Sequence, residues 1–387
     1  MFKGLTRILN LIVGPERTHS VIVYLLRFAG HIPGARWILR KIYAVEHPSL
    51  EREVFGMHFK NPIGLAAGFD RNAEAYRELS AMGFGFVEVG TITPRPQSGN
   101  PRPRIFRIDA DRAIINRTGL ANKGLEYAIS RLRKPHKDCI VGCNIGKNTI
   151  TPVEEQATDY LRAFRNLYLH ADYFTVNVSY NTTFKEYIPQ SRESILDILQ
   201  PLFEFRRGQD EYRPILLKIS PDLPDEVVDM MADIMIDTPL DGIVATNAST
   251  SREGMTALPE NLQSAVAGAV SGAPLTKRAI EVVARIHARA KGTYPIIGVG
   301  GLMTPEDIKA MLEAGATLVQ LYTGFVYEGM SLVRQTCKML VADAEAKSNP
   351  TTGAAIENST EAAAESTTES TAESAAKPAT EEPTQEQ

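Results

Sequence analysis

The chain has 387 residues, of which 43% are hydrophobic, a formal net charge of −4 and three cysteines. This length accommodates one large core with extensions at both ends. Three cysteines are too few for a disulfide framework and too poorly spaced for a zinc site, so no metal is expected. The charge is uneven, because residues 343–387 contain ten acidic residues and only two basic ones. No feature of the chain supports nucleic-acid binding.

Residues 1–45 contain seven lysines or arginines and one acidic residue, Glu16. Two short apolar segments, 5–13 and 21–28, flank Gly14-Pro15 and predict two helices. Neither segment approaches the roughly 20 residues that span a bilayer, and no signal-peptide cleavage site follows. A basic amphipathic helix pair is typical of a segment that lies on an anionic membrane surface. The alternative is a helical plug that packs on the bottom of the main domain.

Residues 46–342 contain eight short apolar runs, rich in β-branched residues, that predict buried parallel strands. Amphipathic segments, clearest at 154–170 and 224–236, separate several of them. Eight such units predict an α/β fold, the (β/α)8 TIM barrel, and a doubly wound sheet is disfavoured because no GxGxxG follows the first strand. Cys139 and Cys143 then belong to one core strand. The runs are 62–68, 85–91, 139–146, 173–179, 214–220, 241–247, 295–301 and 317–324.

Glycines follow the seventh and eighth predicted strands, at Gly300-Gly301 and Gly324. Between them, Thr304-Pro305 has the cap and first-turn proline of a helix start, and Ala314-Gly315 marks its end. In a barrel of this kind the loops after strands 7 and 8 commonly bind phosphate. The sequence therefore predicts an anion site there.

Polar side chains end several of the predicted strands, where barrel enzymes carry their catalytic groups. Most are amides, hydroxyls or an ammonium, with few carboxylates. Amides offer donors and acceptors together, which suits a planar heterocycle with alternating carbonyl and N–H groups. A buried Lys218 can neutralise an electron-rich ring or form a Schiff base. The set is Thr91, Asn144, Asn177, Lys218, Thr246 and Asn247.

Residues 343–387 form a low-complexity tail in which glutamate recurs every four residues from Glu361 to Glu373. Few large apolar side chains are available to offset the entropy of ordering, so the tail is predicted to be disordered and acidic. A charged interaction arm is the alternative. The predicted organisation is a helix pair at 1–45, a barrel at 46–342 and this tail.

Seven segments resemble the dihydroorotate dehydrogenase family, specifically its quinone-dependent, membrane-associated class 2. The resemblance runs in unbroken order from about residue 5 to residue 340 and includes Gly14-Pro15. Only the C-terminal tail lies outside the resemblance. The segments are 64–70 (GLAAGFD), 90–100 (GTITPRPQSGN), 115–117 (INR), 144–148 (NIGKN), 217–223 (LKISPDL), 245–247 (ATN) and 298–301 (GVGG).

The resemblance implies FMN-dependent oxidation of dihydroorotate to orotate in pyrimidine biosynthesis, with ubiquinone as acceptor, on the cytoplasmic side of the inner membrane. It implies that quinone binds near His19 and Arg107, and that Lys218 is catalytic. FMN contacts by position are Ala67, Gly68, Phe69, Asp70, Arg71, Thr91, Asn144, Asn177, Lys218, Thr246, Gly272, Gly301, Tyr322 and Thr323. Substrate contacts by position are Arg71, Asn116, Arg117, Thr118, Gly119, Leu120, Asn177, Asn181, Asn247 and Ala248.

The catalytic loop departs from the family pattern NxSSPNT, in which the second serine is the base. This chain has NVSYNTT from residue 177 to residue 183. One deletion in the alignment retains Ser179 and Asn181, whereas an ungapped alignment puts Tyr180 at the position of the base. Either hydroxyl can in principle accept the proton. The candidate bases are therefore Ser179 and Tyr180.

Other departures surround the substrate, whereas the FMN positions are nearly all retained. Arg71 replaces a lysine, which keeps the charge and adds a planar fork. Leu120 replaces an aromatic residue, Ala121 an asparagine and Ala248 a threonine. Retained cofactor-binding residues together with altered substrate-binding residues suggest a changed substrate or weakened activity.

Three functions stay open at this point. The chain is a working class 2 dihydroorotate dehydrogenase, an FMN- and quinone-linked oxidoreductase of a related cyclic amide or acid, or a flavin-binding relative without activity that is recruited to the membrane. Aldolase chemistry through a Schiff base at Lys218 is a remote fourth. NAD- and fumarate-linked classes are disfavoured, because the basic N-terminal helix pair serves no purpose in a soluble enzyme.

Overall fold

The structure, a computed structural model, describes residues 13–133, 138–179, 191–256 and 267–348. The described residues up to Lys338 form one compact unit, and those from Met339 to Ser348 belong to a second. The three cysteines are free. Among the helices of the described ranges, none combines the length and apolarity needed to cross a bilayer.

Eight parallel strands close into a barrel in the order β3-β4-β7-β8-β9-β10-β12-β13. Each coincides with one of the eight runs predicted from the sequence, with β4 extending one residue beyond its run, so the TIM-barrel prediction is confirmed. The strands in chain order are β1 Arg52–Val54, β2 Met57–Phe59, β3 Ile63–Leu65, β4 Phe86–Ile92, β5 Ile105–Ile108, β6 Ala113–Asn116, β7 Ile140–Ile145, β8 Tyr173–Asn177, β9 Ile215–Ile219, β10 Gly242–Ala245, β11 Ala269–Gly272, β12 Ile296–Val299 and β13 Leu318–Leu321.

Helices follow most barrel strands and cover the outside of the sheet. The helix predicted to start at Thr304 does so with a capping box, since the Thr304 hydroxyl accepts from the Asp307 N–H and the Asp307 carboxylate accepts from the Thr304 N–H. The helices are α1 Pro15–Ala29, α2 Ala35–Tyr43, α3 Tyr76–Ala81, α4 Gly124–Leu132, α5 Gln156–Leu167, α6 Arg192–Arg207, α7 Asp225–Asp237, α8 Thr276–Arg289, α9 Pro305–Glu313, α10 Thr323–Glu328 and α11 Met330–Ser348.

Aromatic side chains and glycines fill the barrel interior together. Phe86 and Tyr173 are fully buried, and the centroids of their rings lie 6.4 Å apart. A Cβ at Gly142 would lie 2.1 Å from the Tyr173 ring, and one at Gly64 would lie 2.3 Å from Phe86. Glycine is therefore required at these two strand positions, because any side chain would occupy the space of a ring.

Two smaller sheets lie outside the barrel, and the sequence did not predict either. β1 and β2 pair as an antiparallel hairpin whose Val54 and Phe59 join the core of the barrel. β5, β6 and β11 form a three-stranded antiparallel sheet. The sheet of β5, β6 and β11 brings Asn116 and Ser271 to the same end of the molecule as the candidate site.

The N-terminal segment contains two described helices, α1 and α2. Gly14, with φ of 80°, and Pro15 begin α1, as the sequence predicts. A second break, at 30–34, was not predicted, although it contains Gly30, Pro33 and Gly34. The apolar segment before Gly14 lies almost entirely outside the described residues.

Ion pairs hold the N-terminal helices on the barrel. Glu16 of α1 lies 2.8 Å from the buried guanidinium of Arg104. Arg27 lies 3.6 Å from Glu74, and Arg36 lies 3.9 Å from Glu78. Part of the basic charge in this segment is therefore neutralised by the barrel and is not available to a membrane.

The predicted start of the tail, at residue 343, falls within helix α11. Helix α11 continues through Asp343 to Ser348, where alanines and charged residues with high helix propensity extend it. Residues 349–387 lie outside the described residues, and disorder there stays a prediction.

Candidate functional site

A cavity of about 170 Å³ opens at the carboxyl ends of the barrel strands. It is lined by ten of the fourteen residues predicted to hold a flavin, which come from seven barrel strands or the loops after them. These ten are Ala67, Gly68, Arg71, Thr91, Asn177, Lys218, Thr246, Gly301, Tyr322 and Thr323.

The same cavity is lined by the residues predicted to hold the substrate, apart from Asn181. The end of β6 and the loop after it contribute five of them, and the loop after β10 contributes two. They are Asn116, Arg117, Thr118, Gly119, Leu120, Asn247 and Ala248. Tyr180 and Asn181 lie outside the described residues, so their predicted roles stay predictions.

Four predicted flavin residues lie behind the cavity surface. Asp70 is buried, and its carboxylate accepts from the backbone N–H groups of Glu74 and Ala75 at 2.7 and 2.8 Å. Asn144 is fully buried below Thr91. Phe69 faces the N-terminal helices, and Gly272 has a left-handed φ of 109° beside Thr323. These residues support the shape of the cavity from behind.

Two buried polar groups at the floor of the cavity lack partners among the described residues. The Lys218 side chain is 5% exposed, and its ammonium makes no hydrogen bond or ion pair there. Burial lowers the pKa of Lys218, and the charge of Glu88 opposes that change. The Gln320 Oε1 is also buried without a hydrogen bond. A donor and an acceptor left open in this way fit a heterocycle with both carbonyl and N–H groups.

The glycine loops after β12 and β13 meet at one side of the cavity. Gly301 has φ of 70°, and a Cβ there would lie 2.4 Å from the backbone nitrogen of Thr276. A Cβ at Gly324 would lie 2.0 Å from the carbonyl oxygen of Leu302. The loops after β12 and β13 therefore pack closely against each other, and the anion site predicted there stays a prediction.

Ser179 lies at the edge of the site between two amides. Its hydroxyl donates to the Asn177 Oδ1 at 2.9 Å and accepts from the Asn247 Nδ2 at 3.0 Å. The side chain is 1% exposed. Ser179 is thus adjacent to two cavity residues.

A second, apolar cavity lies between α1 and the barrel. It includes Arg107, whose guanidinium stacks 3.8 Å from the Tyr327 ring centroid. The two cavities share His19, Ile105, Asn116 and Tyr322. The predicted quinone residues His19 and Arg107 therefore both line an apolar space that adjoins the main cavity.

His19 is held at this junction by a hydrogen bond between its Nε2 and the carbonyl oxygen of Phe69 at 2.8 Å. Burial, with a smaller contribution from nearby Arg71, lowers the pKa of His19 to about 4. The ring is therefore neutral near pH 7. Because the carbonyl can only accept, the neutral ring carries its proton on Nε2.

This pKa predicts a specific pH dependence of stability. Between pH 6.5 and about 4 the unfolded chain binds a proton at His19 that the folded chain does not, so the free energy of unfolding falls as the pH falls, by up to about 3 kcal/mol. His19→Gln keeps a donor for Phe69 and removes the titration. Urea unfolding of both proteins at pH 7 and pH 4.5 should show the wild type losing more stability than the variant. Equal losses would contradict the buried, neutral histidine.

The sequence analysis missed two polar residues of the barrel interior, Glu88 and Gln320. Both lie in the middle of otherwise apolar strands and are almost fully buried. A charged or amide residue inside such a run costs free energy unless it is bonded. A polar residue within an apolar run is therefore itself a sign of an internal bonding network. The predicted site residues were drawn only from the ends of strands, so these two were missed.

Comparisons with known proteins agree with this geometry. The family model "Dihydroorotate dehydrogenase" matches residues 49–343. A protein named "Dihydroorotate dehydrogenase (quinone)" from Christiangramia forsetii is 46% identical over 334 residues, which cover 86% of this chain and 97% of that protein. A protein of the same name from Thermosynechococcus vestitus is 48% identical, over 79% of this chain and 85% of that one. A ligand-free DHODH crystal structure from Eimeria tenella superposes with a TM-score of 0.76 at 32% identity, and covers 86% of this chain and 95% of that one.

Proposed function

The chain belongs to the dihydroorotate dehydrogenase family, and we propose that it oxidises (S)-dihydroorotate to orotate with FMN as cofactor and ubiquinone as acceptor, in de novo UMP biosynthesis. The observation that carries the proposal is the junction of two cavities at His19 and Tyr322. One cavity, the polar cavity, contains several amide side chains together with the cations Arg71 and Lys218, and the other is mainly apolar. This junction suits a reaction with one polar and one apolar substrate.

FMN fits the residues of the polar cavity. The isoalloxazine would satisfy the Lys218 ammonium and the Gln320 Oε1, and the phosphate would lie against the loops at Gly301 and Gly324. When bound, FMN supplies a two-electron carrier between the two substrates. The remaining residues that would hold it are Ala67, Gly68, Thr91, Asn177, Thr246, Tyr322 and Thr323, with Phe69, Asp70, Asn144 and Gly272 behind them.

Lys218 supplies a fixed positive charge in a site sheltered from water. Its ammonium has no competing partner among the described residues, so it can stabilise negative charge that develops on a ring above it. Such stabilisation is larger in a low-dielectric cavity than in water. Its proposed role is therefore electrostatic.

Arg71 and the amides hold the substrate. The Arg71 guanidinium lines the cavity and has no ion-pair partner among the described residues, so it can bind the carboxylate of dihydroorotate with two parallel hydrogen bonds. Asn116, Asn177 and Asn247 face the same space and offer groups to the carbonyl and N–H edge of the ring. Together they orient the ring and exclude water around it.

The proton at C5 of dihydroorotate passes to Ser179 or Tyr180. Ser179 is held by Asn177 and Asn247, which both line the cavity, and this favours the serine. Loss of the base should lower turnover by about 100-fold or more. Comparing Ser179→Ala with Tyr180→Phe decides the assignment, because only the variant that lacks the base should lose turnover to that extent.

Ubiquinone reaches the apolar cavity from a membrane surface. Exposed apolar side chains form a stripe on α1 at Val21, Tyr24, Leu25 and Phe28, and this spacing places them on one helix face. Exposed Lys41 and Arg17 add positive charge that attracts anionic lipid. This supports a peripheral protein on the cytoplasmic side of the inner membrane, with the quinone tail in the bilayer.

A second candidate is an FMN- and quinone-linked oxidoreductase of a related cyclic amide or acid. Arg71, Leu120 and Ala248 depart from the family pattern and all line the polar cavity. Steady-state assays of the full chain with vesicle-bound ubiquinone separate the candidates. Orotate formed in equal amount to the quinone reduced supports the proposal. Quinone reduction by another cyclic amide, without orotate formation, supports the second candidate, and bound flavin with no turnover identifies a relative without activity.

A further inference from the structure

Glu88 is a carboxylate in the middle of the barrel core. It lies in β4, is 0% exposed, and accepts four hydrogen bonds from three other strands. Asn144 donates to one oxygen at 2.8 Å. Gln320, Thr175 and Tyr173 donate to the other at 2.7, 3.0 and 3.2 Å. Four donors to one carboxylate spread its negative charge, which lowers the free-energy cost of burying it.

A chain of hydrogen bonds runs from Glu88 to the edge of the site. The Asn144 Oδ1 accepts from the Thr91 hydroxyl at 2.6 Å, and the Thr91 Oγ1 accepts from the Asn177 Nδ2 at 3.2 Å. The Asn177 Oδ1 accepts from the Ser179 hydroxyl at 2.9 Å, and the Ser179 Oγ accepts from the Asn247 Nδ2 at 3.0 Å. The chain therefore links the core of the barrel to the candidate base.

Every bond in this chain has the same direction, with the donor on the side away from Glu88. An ionised carboxylate can only accept, so the amide nitrogen of Asn144 must face it and the oxygen must face Thr91. The hydroxyl hydrogen of Thr91 is then committed to Asn144, and its lone pair accepts from Asn177. Bonds aligned in one direction polarise one another and strengthen the whole chain. A neutral group at position 88 would permit either direction.

The charge of Glu88 also acts on Lys218. No ion pair joins them, yet Glu88 opposes the fall in the pKa of Lys218 that burial causes. Tyr173 and Cys143 are the other titratable groups that face this carboxylate among the described residues, and burial raises the pKa of both, so both remain neutral. Glu88 is thus the negative charge that balances the buried ammonium.

We infer that Glu88 is a positioning residue: its negative charge fixes the direction of the hydrogen-bond chain from Asn144 to Asn247 and balances the charge of the buried Lys218 side chain. Glu88 does not line the cavity, and it acts through side chains that do. This inference rests on the proposed function, because it assigns a role within the same site.

The test is FMN binding to full-length protein from which the cofactor has been removed, titrated from pH 6 to pH 10. Glu88→Gln keeps the size of the side chain and removes the charge. We expect FMN affinity to fall about tenfold or more at neutral pH. We also expect the alkaline loss of affinity to begin at lower pH, because Lys218 then loses its proton more easily. A shift in the visible absorbance band of the bound flavin should accompany both changes.

Thr175→Val is the matched control. It removes one hydrogen bond to Glu88 at nearly constant volume and leaves the charge, so it should lower thermal stability without moving the pH profile. Glu88→Asp provides a second variant if Glu88→Gln does not fold. This variant keeps the charge, so its FMN affinity should fall at the same alkaline pH as that of the wild type. An unchanged pH profile in Glu88→Gln, or the same displacement in Thr175→Val or Glu88→Asp, would overturn the inference. Wild-type protein that does not bind FMN would instead refute the proposed function itself.

Discussion

Replacing Lys218 with methionine should lower turnover of dihydroorotate by about 100-fold or more, with a smaller loss of FMN affinity. Methionine matches the length and volume of lysine but carries no charge. Lys218 is 5% exposed and lies on the cavity floor, where loss of one preorganised electrostatic group typically costs a factor of 100 to 1,000 in rate. The check is turnover at saturating FMN, beside FMN affinity measured by titration of the stripped protein.

Lys277→Met is the control for this variant. The Lys277 side chain is 91% exposed on α8, so the same substitution there should leave both turnover and FMN affinity unchanged. Wild-type turnover in Lys218→Met with FMN bound would exclude an electrostatic role for this residue.

Replacing Leu25 and Phe28 together with glutamate should abolish binding to anionic vesicles. Both side chains are more than half exposed on the apolar face of α1, and two added carboxylates would face the lipid and repel its negative charge. The KM for vesicle-bound ubiquinone should then rise, by about tenfold or more if each apolar side chain contributes its usual burial free energy. Turnover with a water-soluble acceptor should stay near the wild-type value.

The chain contains a single tryptophan, Trp37, which is 64% exposed on α2. Its fluorescence emission should shift to shorter wavelength when vesicles are added to the wild type and not when they are added to the variant. Replacing Ile150 and Leu169 with glutamate is the matched control, because these apolar side chains are 74% and 72% exposed elsewhere on the surface. A fluorescence shift that persists in the α1 variant would argue against docking through this stripe.

The barrel could be predicted because buried parallel strands leave a strong local signal. Runs such as 214–220 are apolar apart from polar residues near their carboxyl ends, and eight of them in a row leave few alternatives. The sheet of β5, β6 and β11 could not be predicted in the same way. Its strands have four residues each, and β6 pairs with β11 across a long interval of sequence, so pairing depends on the tertiary fold.

Much of the site could be predicted for a related reason. The ends of barrel strands converge at one face, so polar residues such as Asn177, Lys218 and Asn247 are brought together by topology alone. Glu88 and Gln320 were missed because they lie in mid-strand. The choice between Ser179 and Tyr180 could not be made, since a loop without periodic constraint does not fix which side chain faces the cavity.

Anaerobic mixing of the purified yellow protein with dihydroorotate is the measurement that decides most directly whether this cavity is a flavin site for that substrate. Loss of the visible flavin absorbance, followed by its recovery when ubiquinone is added, is the predicted result. A protein that is colourless and does not take up FMN would contradict both the cofactor and the reaction.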